Sequence, residues 1–157
     1  MRSRILLLAV ILCLIACDSK RVFEDNVDFK NKYWLVKEPA TFEFRITDAT
    51  HPYNLFYDVR NTIEYPYARL FINYTLTDST GTELSKKLIS SFLFDQKTGR
   101  PLGSSGIGDI YDQRFPILEN YSFKAAGKYK MKLEQFMRQD TLTGILAVGI
   151  RVETVGK

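Results

Sequence analysis

The chain of 157 residues is poor in the side chains that staple, cut or coordinate. Its two cysteines, Cys13 and Cys17, both lie near the start. Everything after them is free of sulfhydryls, which excludes a disulfide framework, a thiol nucleophile and a thiolate metal site there. Histidine occurs once, as His51, in front of Pro52. A single imidazole with no Gly-x-Ser-x-Gly elbow does not make a hydrolase triad. Zinc would need carboxylates to complete its shell, an uncommon donor set. No cofactor is therefore expected. Long apolar runs are missing as well. The one stretch, Ile5–Ala16, has twelve residues, about 18 Å of helix, against a hydrocarbon core of about 30 Å.

That stretch has another use. Arg2 and Arg4 precede it and Leu14-Ile15-Ala16-Cys17 closes it. A basic start, a short apolar core and a small residue before the cut describe a secretory signal. Its ending resembles a bacterial lipobox, whose cysteine takes diacylglycerol and becomes the new N-terminus. An ordinary secretory signal would fit the apolar run without requiring cysteine after Ala16. Residues 1–16 are thus read as a cleaved signal and Cys17 as the lipidated residue, so the partner it specifies is a membrane. Multiple acyl chains anchor firmly where one does not. Cleavage leaves 157 − 16 = 141 residues and removes two arginines, so the formal charge falls from +4 to +2. That balance and the compartment argue against nucleic acid as a partner. The polar segment after Cys17 reads as a tether over residues 17–32, with one folded domain at 33–157.

Beyond the tether the hydrophobic period is two. Phe42, Phe44 and Ile46 alternate with Glu43 and Arg45; Tyr129, Met131 and Leu133 alternate with Lys128, Lys130, Lys132 and Glu134. Leu70, Ile72, Tyr74 and Leu76 share one face, as do Leu146, Val148, Ile150 and Val152. Such alternation predicts half-buried strands. Further strands are predicted at Asn54–Arg60, Lys86–Asp95 and near Tyr33–Val36. Residues 135–143 fit either a helical turn or a strand connection. Turn signals at His51-Pro52, Tyr65-Pro66, Asp78-Ser79-Thr80-Gly81, residues 97–101 and Ala126-Gly127 separate them. The pattern predicts an all-β fold, a single antiparallel β-sandwich, jelly-roll-like, of about seven to eight strands, with a closed barrel as the alternative.

Few side chains point to chemistry. Residues 103–108, Gly-Ser-Ser-Gly-Ile-Gly, look like a phosphate loop, but no P-loop lysine and no helix follow, so an inter-strand loop is expected. Asp109 and Asp112 could hold calcium or serve as paired glycosidase carboxylates; solvated loop acids are the simpler reading. Lys128, Lys130 and Lys132 form a basic stripe suited to anionic headgroups or acidic polysaccharide, or simply a solvated face. Tyr65 and Tyr67 flank Pro66 and could stack on a sugar or anchor a partner; packing over a sheet edge explains them equally well. A carbohydrate-binding module is the alternative function these tyrosines support.

Several longer strings converge on one family. Tyr53-Asn54-Leu55 through Val59-Arg60-Asn61-Thr62 leads into Tyr65-Pro66-Tyr67-Ala68-Arg69-Leu70. Later come Gly127-Lys128-Tyr129, Gln135-Phe136-Met137-Arg138-Gln139-Asp140, Leu142-Thr143-Gly144-Ile145 and Val148-Gly149-Ile150-Arg151-Val152-Glu153. With the lipobox and the β pattern, the chain resembles the GldH family of gliding-motility lipoproteins of Bacteroidota over about Val22 to Glu153. Arg69 departs from it, standing where the family's turn is expected to carry Asn. The resemblance implies a cell-envelope protein required for gliding, partnered with other envelope proteins of the gliding and adhesin-export machinery. It implies no enzymatic reaction, a binding or scaffold role, and lipidation at Cys17. Asp18-Ser19-Lys20-Arg21 lacks the acidic run of surface-exported lipoproteins in this phylum, which implies an outer-membrane position facing the periplasm. Asp78-Ser79-Thr80 and Asp140-Thr141-Leu142 match the phylum's periplasmic O-glycosylation pattern, making Ser79 and Thr141 candidate acceptors. Ordinary turn chemistry accounts for the same residues.

Overall fold

The computed structural model describes residues 18–106 and 108–156; Cys17 and the signal segment lie outside the described residues. Eleven strands are present: β1 (Arg21–Asp28), β2 (Tyr33–Leu35), β3 (Ala40–Ile46), β4 (Tyr53–Thr62), β5 (Arg69–Asp78), β6 (Glu83–Phe92), β7 (Ser104–Ser105), β8 (Ile110–Tyr121), β9 (Gly127–Gln135), β10 (Thr141–Thr143) and β11 (Ile145–Thr154). No helix occurs among the described residues. One sheet has the order β1-β11-β4-β8-β7, the second β3-β9-β5-β6, and β10 pairs with β2 in a small third sheet.

Leaving aside the three shortest strands, the eight long ones pair first with last, second with seventh, third with sixth and fourth with fifth. That is a hairpin rolled into two facing sheets, the jelly roll that the alternation predicts. The inward residues of both sheets fill the space between them. Phe42, Phe44, Leu55, Tyr57, Leu70, Ile72, Met131, Leu133, Ile150 and Val152 are all at most 3% exposed. Phe123 and Tyr129, with ring centroids 4.4 Å apart, close one end together with Tyr53 and Phe44. Trp34 closes the other, its indole donating to the Glu38 carbonyl at 2.8 Å. Burial pushes the Tyr57 hydroxyl up to about 12, so the side chain stays neutral in the core.

Two expectations are corrected. The tether is shorter than residues 17–32, because Arg21–Asp28 is a strand bonded along β11. Its polar composition misleads because β1 is an edge strand, exposed over most of its length, and is held through the backbone ladder rather than by apolar burial. The second concerns β11, whose alternate face is not solvated. Ala147 is 4% exposed and Arg151 7%, because β11 lies between β1 and β4.

The sandwich has two ends. The start of β1, the end of β11, residues 47–52, the β5–β6 turn and residues 122–126 gather at one. There Thr154 donates to the Lys20 carbonyl and Val155 to that of Pro52. Residues 63–68, 93–103 and 136–140 gather at the other. The ten residues of β5 run between them, separating the ends by about 30 Å at about 3.3 Å per residue.

Candidate binding surfaces

The outer face of the five-stranded sheet carries rows of charge fixed by strand register. Glu24 of β1 lies opposite Arg151 of β11, Asp58 of β4 opposite Arg114 of β8, and Arg60 opposite Asp112. Outward positions on neighbouring strands are close enough to pair, and they do. Arg60 Nε donates to Asp112 at 2.7 Å and Arg114 Nε to Asp58 at 2.6 Å; a second Arg114 nitrogen reaches Glu24 at 2.6 Å.

Arg151 is the centre of this network. Its guanidinium binds Asp18, Glu24 at 2.9 Å and Glu153 at 2.5 Å. Burial opposes its charge, but the hydrogen bonds it donates to Asp18 and Glu153 and the field of Glu24 outweigh it and raise the pKa. The bond to Arg151 holds Asp18 below the usual carboxylate range. Burial works to raise Glu24, yet Arg21, Arg151 and Arg114 together bring it down. Asp18 is the first described residue, so this pair ties the start of the described chain to β11. Gly149, opposite Asn26, forms the floor of an adjoining groove of about 450 Å³ lined by Asp58, Arg60, Asp112 and Arg114. A Cβ there would stand 2.7 Å from the Asp25 carbonyl oxygen, so glycine lets β1 lie close.

The candidates from the sequence do not converge on one place. Tyr65 is 4% exposed and donates to the Arg69 carbonyl at 3.0 Å; burial pushes its hydroxyl up. It is a core residue, which corrects its reading as a sugar or partner contact. Tyr67 is half-buried against it, edge-on at 5.7 Å. Asp112 is engaged by Arg60, while the neighbouring Asp109 backbone carbonyl accepts from Ile63. Ser104-Ser105 is strand β7, paired with β8, and no helix leaves that loop, so the phosphate reading finds no helical N-terminus. His51 is exposed beside Asp48 at 3.5 Å.

Ser79 and Thr141 are both exposed. Ser79 sits in a turn organised by Asp78, whose carboxylate accepts from the Thr80 amide and hydroxyl and from the Thr82 amide. The Thr80 bond is foremost in holding that carboxyl below its ordinary value. Thr141 lies on β10 opposite Leu35.

The basic stripe lies on the outer face of the second sheet. Lys130 reaches Glu43 at 3.2 Å and Lys132 reaches Glu134 at 3.0 Å. Lys128 instead faces Arg45 directly across the ladder. Reading the sequence missed the Arg151 network. Its strings were visible, but Asp18 and Glu24 are each more than a hundred residues from Arg151, and only the pairing of the first strand with the last brings them together.

Comparison with known proteins supplies the family. A family model described as GldH lipoprotein matches residues 21–152. The chain is 34% identical, over 158 aligned positions, to the gliding motility lipoprotein GldH of Flavobacterium johnsoniae, covering 96% of this chain and 95% of that one. It is 31% identical over 150 positions to the gliding motility lipoprotein GldH homolog of Christiangramia forsetii, covering 91% and 90%. Among solved structures, the VP2 subviral particle of infectious bursal disease virus aligns with 87% of this chain and 31% of its own at 15% identity. Its TM-score is 0.39, too low to carry an argument.

Proposed function

From the chain's membership of the GldH lipoprotein family, we propose that this gliding-motility lipoprotein is a non-enzymatic binding or scaffold subunit of the gliding and adhesin-export machinery. Family membership makes it a lipid-anchored envelope protein. In the proposed arrangement Cys17 bears the lipid and the domain faces the periplasm from the outer membrane.

The observation that carries this reading is the short leash. β1 begins at Arg21, and Arg151 grips Asp18, the residue next to Cys17. A domain joined to its anchor so closely is a fixed platform rather than a swinging one, because three residues extend at most about 10 Å. Holding binding surfaces at one place raises their effective concentration toward neighbours in the same membrane.

Replacing Cys17→Ser tests the reading. The variant is expected to leave the membrane fraction, keep its fold and abolish spreading over a surface and adhesin display. Normal spreading with the domain released would refute the platform. Protease treatment of intact cells checks orientation: digestion without lysis would contradict the periplasmic side. The exposed Ser79 and Thr141 hydroxyls suit the proposed O-glycosylation, and an intact mass equal to polypeptide plus lipid would dismiss it.

A further inference from the structure

Toward the end of the sandwich remote from Asp18, the outer face of the four-stranded sheet exposes apolar side chains beside Asn73, Ser90 and Glu134. Phe136 is 59% exposed and Leu88 44%. Phe136 continues the outward face of β9 and donates its amide to the Phe71 carbonyl on β5 at 2.9 Å. Beside Phe71, the Arg69 guanidinium lies 4.1 Å from the centre of the Phe92 ring. The loop that presents Phe136 is tied down. Gln135 is buried, accepts from the Met137 amide at 2.9 Å and donates to the Gln139 carbonyl at 2.8 Å. An aromatic ring is thus held in water by a braced loop, against the hydrophobic drive to bury it. Aromatic residues, methionine and arginine are also the composition that protein interfaces favour.

The same face is basic where it leaves the patch. Lys86, Thr75 and Lys132 form one row across β6, β5 and β9, and Arg45 and Lys128 form another across β3 and β9. Among the described residues Arg45, Lys86 and Lys128 make no ion pair, whereas Lys132 shares its charge with Glu134 at 3.0 Å. Like charges directly opposite one another destabilise a sheet unless something answers them.

We propose that this face docks a protein segment that sets apolar side chains into the patch around Phe136 and acidic side chains against Lys86 and Lys132. The proposal rests on the anchored-subunit reading for the position of the membrane. The anchoring bilayer is a poor occupant of the whole face, since the apolar patch around Phe136 lies about 30 Å along the strands from the anchored end, although the Lys86 and Lys132 row lies nearer to it. A second copy is disfavoured by charge, because facing patches would bring Arg69 and Lys86, which make no ion pair among the described residues, against their own kind.

The test uses the full-length protein in cells. A photoreactive benzoylphenylalanine is placed at position 136 and, as a control, at Ile63, which is 49% exposed and hydrogen-bonded to Asp109 beside the other sheet. A heterologous protein adduct is expected at 136 and not at 63, reduced at least tenfold by the pair Lys86→Glu and Lys132→Glu. In vitro, the lipidated protein in nanodiscs is titrated with a synthetic peptide alternating Phe and Leu with Glu. It should bind that peptide over its Lys counterpart, and Phe136→Ser should weaken binding about tenfold, with the melting temperature unchanged. Adducts to lipid alone, adducts between copies, or equal adducts at both positions overturn the proposal. So does failure of the acidic peptide to bind. If the adduct forms but Cys17→Ser cells spread normally, the docking face stands and the anchored-platform reading fails.

Discussion

Replacing Arg151→Met removes the cation at the centre of the first-to-last strand pairing while keeping most of its volume. The guanidinium side chain is 8% exposed, and Glu153, Glu24 and Asp18 are 21%, 30% and 41% exposed. Breaking a fully buried pair costs about 3–5 kcal/mol. Partial exposure of the carboxylates screens their repulsion and roughly halves this, to about 2 kcal/mol. For a domain of this size that is a fall in melting temperature of about 6–8 °C.

The pH dependence is the sharper test. Asp18 and Glu24 are held below their ordinary values of 3.8 and 4.5. A depressed carboxylate stabilises the fold above its unfolded pKa, and that contribution disappears as the pH falls through its lower, folded pKa. The wild type therefore loses stability on acidification below about pH 4.5. The variant has nothing to lose there, and protonation relieves the repulsion among its orphaned acids. Urea denaturation at pH 7 and at successively lower pH should show the two proteins converging. A deficit of the same size at both ends would refute the electrostatic account and leave packing as the cause. Hydrogen exchange should also show the β1 amides opening first in the variant.

Other perturbations separate structural from functional roles. Tyr65→Ala should cost about 3 kcal/mol or more in urea denaturation, as loss of a buried aromatic does; an unchanged midpoint would restore Tyr65 as a surface contact. Gly144→Ala should destabilise by at least about 2 kcal/mol, since φ is +79° and a Cβ would stand 2.7 Å from the Tyr65 backbone; thermal melting reads it directly. Lys128→Glu, which sets a carboxylate opposite Arg45, should stabilise by about 0.5 kcal/mol, with the gain shrinking at high salt. No gain at low salt would mean that the two cations already find a counter-charge.

Strands β3, β5 and β9 were readable because each buries one face and wets the other, so their alternation maps onto burial residue by residue. Strand β8, the longest, was not. It is half-exposed along most of its length, and Pro116 interrupts it where the register to β4 shifts, at a position whose outer edge β7 does not reach. Strand β1 failed for a related reason, since a polar edge strand has the composition of a linker. Turns were legible because their chemistry is local: Asp78 bonds the amides of Thr80 and Thr82, as an aspartate before Ser-Thr-Gly is suited to do.

The candidate sites divide along the same line. The amino-acid sequence by itself carried the basic and apolar start that ends at Cys17, the all-β class, the turns and the family strings, all of which depend on residues near one another. Tertiary structure alone decided that Tyr65 is core, that the segment after Cys17 is part of a sheet, and that Arg151 gathers Asp18, Glu24 and Glu153. It also decided that Phe136, Phe71, Arg69 and Phe92 meet at the end remote from the anchor. These facts depend on which strands become neighbours. That is settled by the rolling of the whole hairpin, whose non-local pairings no short stretch of sequence encodes.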